Sequence, residues 1–152
     1  VPGTIVVGVD GSPPSVAALR WAAEEAALRD AALVALHAWS YVPAAPIAEP
    51  GMIPMPAGDL PGYLDAEQGA ARAELEGAIA DAFPAGAPVA IDERLVEDSA
   101  GDALVSAGAE ADLLVVGSSG RSGLTSVLLG SVSRHVVSHA HCPVVVVKAS
   151  SE

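Results

Sequence analysis

The sequence predicts an α/β fold: a doubly wound five-stranded parallel sheet in the order 3-2-1-4-5, with helices on both faces. Three observations predict it. Short apolar runs rich in β-branched residues alternate with longer segments whose apolar residues recur at helical spacing, in the pattern β-α-β-α-β-α-β-α-β. Most of these runs are nearly continuous, as strands covered on both faces of a parallel sheet are. The length of 152 residues, 51% of them hydrophobic, suits one domain over 1–152 with a sizeable core and does not suit two.

The first strand is predicted over Thr4–Val9. The first helix follows Ser12, a good N-cap, with Pro13 tolerated because first-turn N–H groups have no intrahelical partner. Leu19, Ala22, Ala23 and Ala26 then share one face, and Glu25 and Arg29 are spaced for an i,i+4 ion pair on the outer face. The second strand is Ala32–Trp39. Between Tyr41 and Gly62 there is no periodicity; this loop holds six of the twelve prolines and both methionines, Met52 and Met55. Loops of that length are uncommon in compact domains, and its role stays open between a surface excursion and a lid or interface.

The second helix, about Leu64 to Phe83, turns Ala71, Leu75, Ala78, Ile79 and Ala82 inward. The third strand, Val89–Val96, contains AIDERLV, whose charges place it at a sheet edge. The third helix, about Ala100 to Ala109, follows the capping candidates Asp98 and Ser99. The fourth strand is Leu113–Val116, the fourth helix runs near Ser126 to His139 with Val132 and Val136 on one face, and the last strand is Val144–Lys148. In the order 3-2-1-4-5 the chain leaves the adjacent first and fourth strands towards opposite faces of the sheet. Such folds bind ligands in the crevice at the C-terminal ends of those two strands, where Asp10 and the segment from Gly117 onward fall.

Composition excludes several function classes. Seven Lys+Arg against nineteen Asp+Glu give a net charge of -12, which repels nucleic acid and anionic membrane surfaces. Cys142 is the only cysteine, so an intrachain disulfide and a Cys-rich zinc site are both ruled out. The opening VPGTIVVGVDGS has no basic head before an apolar stretch, and no apolar run approaches the ~20 residues of a membrane helix, so the sequence reads as cytoplasmic. His135, His139, His141 and Cys142 lie close together, and the first two are one helical turn apart, a spacing that can bind zinc. The expectation is nevertheless that protein side chains hold no metal. No Gly-x-Ser-x-Gly elbow is present to support a hydrolytic triad.

The fourth strand runs into Gly117-Ser-Ser-Gly120-Arg-Ser-Gly123, and Gly130-Ser131 follows. Glycines after a strand let backbone N–H groups come close to an anion, although the same residues also make an ordinary turn. A P-loop is absent, because the only lysine is Lys148 at the end of the last strand; the dinucleotide fingerprint fails as well, because the first strand leads into Gly8-Val-Asp10-Gly11. The charge pattern marks the same region. From Leu113 to Ser151 there is no Asp or Glu, where an even spread would place about five, and buried strands explain only part of that gap.

Gly117-x2-Gly120-x9-Gly130-Ser131 resembles the G-2x-G-9x-G-[S/T] motif of the ATP-binding branch of the universal stress protein family. VVGVDGS at Val6–Ser12, ADLLVVGSSGRSG at Ala111–Gly123, LLGSVS at Leu128–Ser133 and HCPVVVVK at His141–Lys148 are similar to that family too, so the resemblance spans the chain in order. It implies the same doubly wound fold and a site for ATP or a related adenine nucleotide, with Mg²⁺ on the phosphates as a further expectation. By the resemblance, Asp10 binds the ribose, Val9 lies beside the base and the Ala38 backbone lines the adenine pocket. Gly117, Gly120 and Gly130 bring N–H groups to the phosphates, Ser131 and Ser133 add hydroxyls, and Val132 adds a backbone N–H. Ser119 departs from the pattern: relatives often carry a basic residue there, and Arg121 is the nearest substitute.

The function implied is that of a stress-response regulatory protein, with weak ATP hydrolysis at most, since the motif supplies a cradle and no evident base to activate water. A Mg-dependent ATP-hydrolysing or phosphoryl-transfer enzyme and a dimerisation module with an empty site are the alternatives. A homodimer through Pro143–Lys148 is expected, because VVVV at a sheet edge leaves unpaired backbone groups and the resemblance points to that strand.

Overall fold

The computed structural model describes residues 3–40, 60–119 and 129–149. The elements alternate as predicted: β1 (Thr4–Gly8), α1 (Pro13–Arg29), β2 (Ala32–Trp39), α2 (Leu60–Ala82), β3 (Ile91–Glu97), α3 (Ala100–Gly108), β4 (Leu113–Gly117), α4 (Ser131–His139) and β5 (Val144–Val147). Among the described residues the strands form one five-stranded parallel sheet in the order β3-β2-β1-β4-β5. Successive residues of a strand point to opposite faces, so each apolar run feeds two cores. On one face Ile5, Val7, Leu33, Ala35 and Val115 pack against Leu19, Ala22 and Ala26 of α1 and Leu75 and Ala78 of α2. On the other, Val6, Val34, Leu36, Leu114 and Val116 pack against Ala103 and Leu104 of α3 and Val136 of α4. The charged strand β3 lies at the edge, with most of its residues exposed.

Local chemistry sets the helix ends. Ser12 is the N-cap of α1, in extended conformation, and its hydroxyl accepts the Ser15 amide at 3.4 Å, while Pro13 and Pro14 occupy a first turn that needs no amide from them. Asp30 closes α1 in the left-handed conformation at φ 53, with its amide on the Ala26 carbonyl. The Glu25–Arg29 pair forms at 2.6 Å and, on the surface, contributes only about a few tenths of a kcal/mol. Arg20 reaches across from α1 to cap the C-terminus of α2, donating from Nε to the Ala82 carbonyl and from Nη2 to the Asp81 carbonyl, each at 3.1 Å. Arg20→Ala should therefore lower stability by about 1 kcal/mol, read from the midpoint of urea unfolding. An unchanged midpoint would show that this cap is worth nothing.

Several boundaries differ from expectation for physical reasons. Helix α2 begins at Leu60 instead of Leu64, because Pro61 is suited to a first turn. Residues 60–62 thus leave the predicted loop, and 41–59, with both methionines, lie outside the described residues. Strand β3 begins at Ile91 instead of Val89 because its first ladder partner is Leu33, near the start of β2. Helix α4 does not extend back through Leu129 and Gly130: Gly130 is its extended N-cap. Val132 and Val136 lie one turn apart on one face of α4, which runs from the 37% exposed Val132 in the first turn to the fully buried Val136. Among the described residues no helix is long and apolar enough to cross a membrane.

Candidate functional site

The C-terminal ends of β1, β2 and β4 and the first turn of α4 enclose a cleft of about 260 Å³. It lies at the switch point between β1 and β4, where the chain departs to opposite faces of the sheet. Val9, Asp10, Ala38, Gly117, Gly130, Ser131, Val132 and Ser133, all singled out from the sequence, line it together with Gly8, Ser15, Leu36, His37, Ala100, Leu104, Val116 and Ser119. Gly120 and Arg121 lie outside the described residues.

At the β1 end, Gly11 takes φ 82, a conformation that glycine adopts without strain, and turns the chain into α1. Asp10 Oδ1 accepts the Ser12 amide at 2.9 Å and the Ser12 hydroxyl, and the Asp10 amide donates to Ser15 Oγ at 3.3 Å. This turn fixes the carboxylate at the strand end. A carboxylate offers about four acceptor positions, so one held by Ser12 can also accept hydroxyls of a ligand.

At the opposite end the connection from β4 to α4 is closed by main-chain bonds. The Ser118 carbonyl accepts the Gly130 amide at 2.7 Å and the Ser133 hydroxyl at 3.2 Å, and that hydroxyl is also 3.1 Å from the Gly130 carbonyl. Ser118 in turn donates its amide to Val147 at 2.8 Å. The Gly130 amide and the buried Ser133 hydroxyl are thus engaged in holding the loop. Among the described residues no side chain caps the N-terminus of helix α4. The main-chain N–H groups of Ser131, Val132 and Ser133 form its first turn, where amides have no intrahelical partner and the helix dipole favours an anion.

Gly117 lines the cleft, but a second constraint also requires glycine there. A Cβ on Gly117 would come within 2.7 Å of the carbonyl carbon of Pro14, in the first turn of α1. Nothing in the sequence pairs Pro14 with Gly117; the contact exists only once β4 lies under α1.

His37 is the main cleft residue that the sequence reading passed over. Its signal is one polar side chain inside the apolar run ALVALHAW of β2. The ring is buried, with Nδ1 2.7 Å from the Val9 carbonyl oxygen and Nε2 3.1 Å from Oε2 of Glu74 on α2.

Of the other histidines, His135 joins α4 to α3. His135 Nε2 is 3.1 Å from Asp102 Oδ1, His139 Nδ1 is 2.9 Å from the His135 carbonyl, and the two rings stack with centroids 4.4 Å apart. Burial pushes the Cys142 thiol up from its ordinary range; a hydrogen bond with the Leu114 backbone opposes this and the Asp112 charge adds to it. A thiol so shifted is neutral at pH 7, which makes it a poor nucleophile and a poor metal ligand.

The match to the model of the Universal stress protein family covers residues 3–148. Universal stress protein Rv2005c of Mycobacterium tuberculosis is 38% identical over 147 residues, which is 96% of this chain and 45% of that protein. The chain thus spans about half the length of the curated relatives it matches. Among solved structures, universal stress protein UspA from Lactobacillus plantarum has a TM-score of 0.72 at 26% identity, covering 95% of this chain and 97% of that one. A universal stress protein solved in complex with cAMP is 35% identical, with a TM-score of 0.58 and coverage of 97% and 98%. A family match over nearly the whole chain, joined to the same sheet order and a cleft at its switch point, leads to one conclusion: the chain belongs to the universal stress protein family.

Proposed function

We propose that this chain is a cytoplasmic, regulatory adenine-nucleotide-binding protein of the stress response, with 1–152 acting as one nucleotide-binding unit and ATP as its ligand. The observation that carries the reading is the convergence, on one switch-point cleft, of an oriented carboxylate at the end of β1 and the first turn of α4. A relative 35% identical to this chain was solved with cAMP, which supports an adenine nucleotide as the class of ligand. In the proposed complex Asp10 accepts the ribose hydroxyls, Val9 and Ala38 border the base, and the amides of Ser131, Val132 and Ser133 with the Ser131 hydroxyl receive phosphate. Gly117, Gly120, Gly130 and Arg121 complete the phosphate side, with Mg²⁺ on the phosphates when ATP is bound. Calorimetric titration with ATP, AMP and cAMP tests the reading, and no heat with any of the three would leave the cleft without this role.

Hydrolysis is expected to be slow. In the proposed complex Asp10 is committed to the ribose, away from the phosphates, and the ring of His37 is held by Val9 and Glu74, so neither is placed to activate water at the outer phosphate. Turnover of about 1 s⁻¹ or more with Mg²⁺ would make the protein an enzyme.

The proposal includes a homodimer formed through Pro143–Lys148. Strand β5 is a sheet edge paired on one side with β4, and its four valines are only partly buried. An apolar edge of this kind exposes N–H and C=O groups that a second copy can pair. A charge placed at Val145 or Val146 should give folded monomers by light scattering and circular dichroism, while shortening 41–59 should leave the dimer intact. The reverse result would move the interface to that segment.

A further inference from the structure

His37 is an ionisable residue inside an apolar strand, 7% exposed, and it lines the cleft next to Ala38. Its ring stands between acceptors on two elements, the Val9 carbonyl at the end of β1 and the Glu74 carboxylate on α2. A carbonyl oxygen only accepts, so Nδ1 must carry the proton of the 2.7 Å contact. An ionised carboxylate also only accepts, so the 3.1 Å contact at Nε2 requires a second proton. A neutral imidazole is donor at one nitrogen and acceptor at the other; it can satisfy Val9 only by turning a lone pair towards Glu74. Both contacts hold together in the doubly protonated ring.

The position gives this contact leverage on the cleft. The Val9 amide already donates to the Leu36 carbonyl at 2.9 Å, so β2 holds both main-chain polar groups of the residue that precedes Asp10. Glu74 lies on the helix that covers this face of the sheet, beside the buried Leu75. Glu93 and Glu97 flank Leu95, the β3 partner of His37, on the same side of that strand, and Asp10 lines the same cleft. The bases of the neighbouring elements are Arg94 on the alternate side of β3, paired with Asp92 at 3.2 Å, Arg72 on α2, and Arg20 of α1, which is bound to the Asp81 and Ala82 carbonyls. The α1 residues packed on this face are apolar.

We propose that His37 is a proton-dependent positioning residue whose cationic ring ties Val9 to Glu74, so that helix α2 and the base end of the nucleotide cleft are held together by one proton. When the ring becomes neutral, Nδ1–H keeps Val9 and the Nε2 contact with Glu74 is lost, which weakens the hold of β2 on α2 at the cleft. Nucleotide affinity then falls as pH rises. This rests on the nucleotide reading given above.

Adenosine is the suitable probe, since it has no phosphate that titrates near neutrality. In the wild-type protein its affinity, measured by chemical-shift titration, should be about three- to tenfold weaker at pH 8.5 than at pH 6. In Glu74→Gln the two values should agree, because the amide can accept from a protonated Nε2 and donate to a neutral one. Glu74 is 43% exposed, so that variant folds. In the unliganded wild type, side-chain nitrogen NMR should find Nδ1–H at every pH and Nε2–H only at the acid end, with the Glu74 carboxyl carbon shifting in step. Equal wild-type affinities at the two pH values, or the same dependence in Glu74→Gln, would overturn the proposal. So would a ring that keeps Nε2–H and loses Nδ1–H. Failure of the wild type to bind adenosine or AMP at any pH would refute the nucleotide reading instead, and the ring NMR would still decide whether the tie exists.

Discussion

Asp10→Ala is expected to weaken adenine-nucleotide binding by about tenfold or more, the loss that follows when a charged hydrogen-bond acceptor worth about 1.5–3 kcal/mol is removed. The carboxylate sits at the switch point, held in place by the Ser12 amide at 2.9 Å and by the Ser12 hydroxyl. Because those bonds also shape the turn into α1, the alanine variant must be compared with Asp10→Asn, which keeps an acceptor for Ser12 while removing the charge. Two losses should separate. Both variants should lose affinity by calorimetry, and only alanine should also lower the melting temperature. Wild-type affinity in both would remove Asp10 from the site.

Gly117→Val should destabilise the fold by about 3 kcal/mol and lower the melting temperature on the order of 10 °C. The reason is backbone contact and owes nothing to a ligand. A Cβ at this position would meet three atoms of Pro14 at 2.7–2.9 Å, two of them main-chain atoms in the first turn of α1. That turn is fixed by the Ser12 cap and by two consecutive prolines, so it cannot retreat as a flexible side chain would. A melting temperature equal to wild type would show that α1 does move, and the glycine would then have to be explained by the ligand alone.

The fold was legible because buried parallel strands leave an unmistakable trace. TIVVG, LLVVG and VVVV are apolar on both faces because clusters on both faces receive them. IDERLVE is charged where four of its seven residues are exposed at the edge, whereas the valines of β5, the other edge, are all partly buried. Where a boundary depended on a distant partner, the sequence was silent: Val89 has the composition of a strand residue, yet the β3 ladder starts where β2 supplies Leu33.

The site divides in the same way. Asp10 and the first turn of α4 could be placed by motif, since both sit at the ends of recognisable elements. The engagement of the Gly130 amide and the Ser133 hydroxyl could not, because their acceptor, Ser118, is 12 and 15 residues away in the chain and meets them only in the folded protein. His37 was passed over for a similar reason. Its meaning comes from Val9 and Glu74, which are 28 and 37 residues away and meet only in the folded chain.

The measurement that bears most directly on the central claim is a residue-by-residue map of backbone amide shifts as AMP is added to the dialysed protein. An adenine nucleotide in the switch-point cleft should move the amides of Val9, Asp10, Ala38, Ser131, Val132 and Ser133 together, in one saturable process, and leave those of β3 and the C-terminal half of α2 in place. Saturable shifts confined to any other surface, or none at millimolar AMP, would contradict the account.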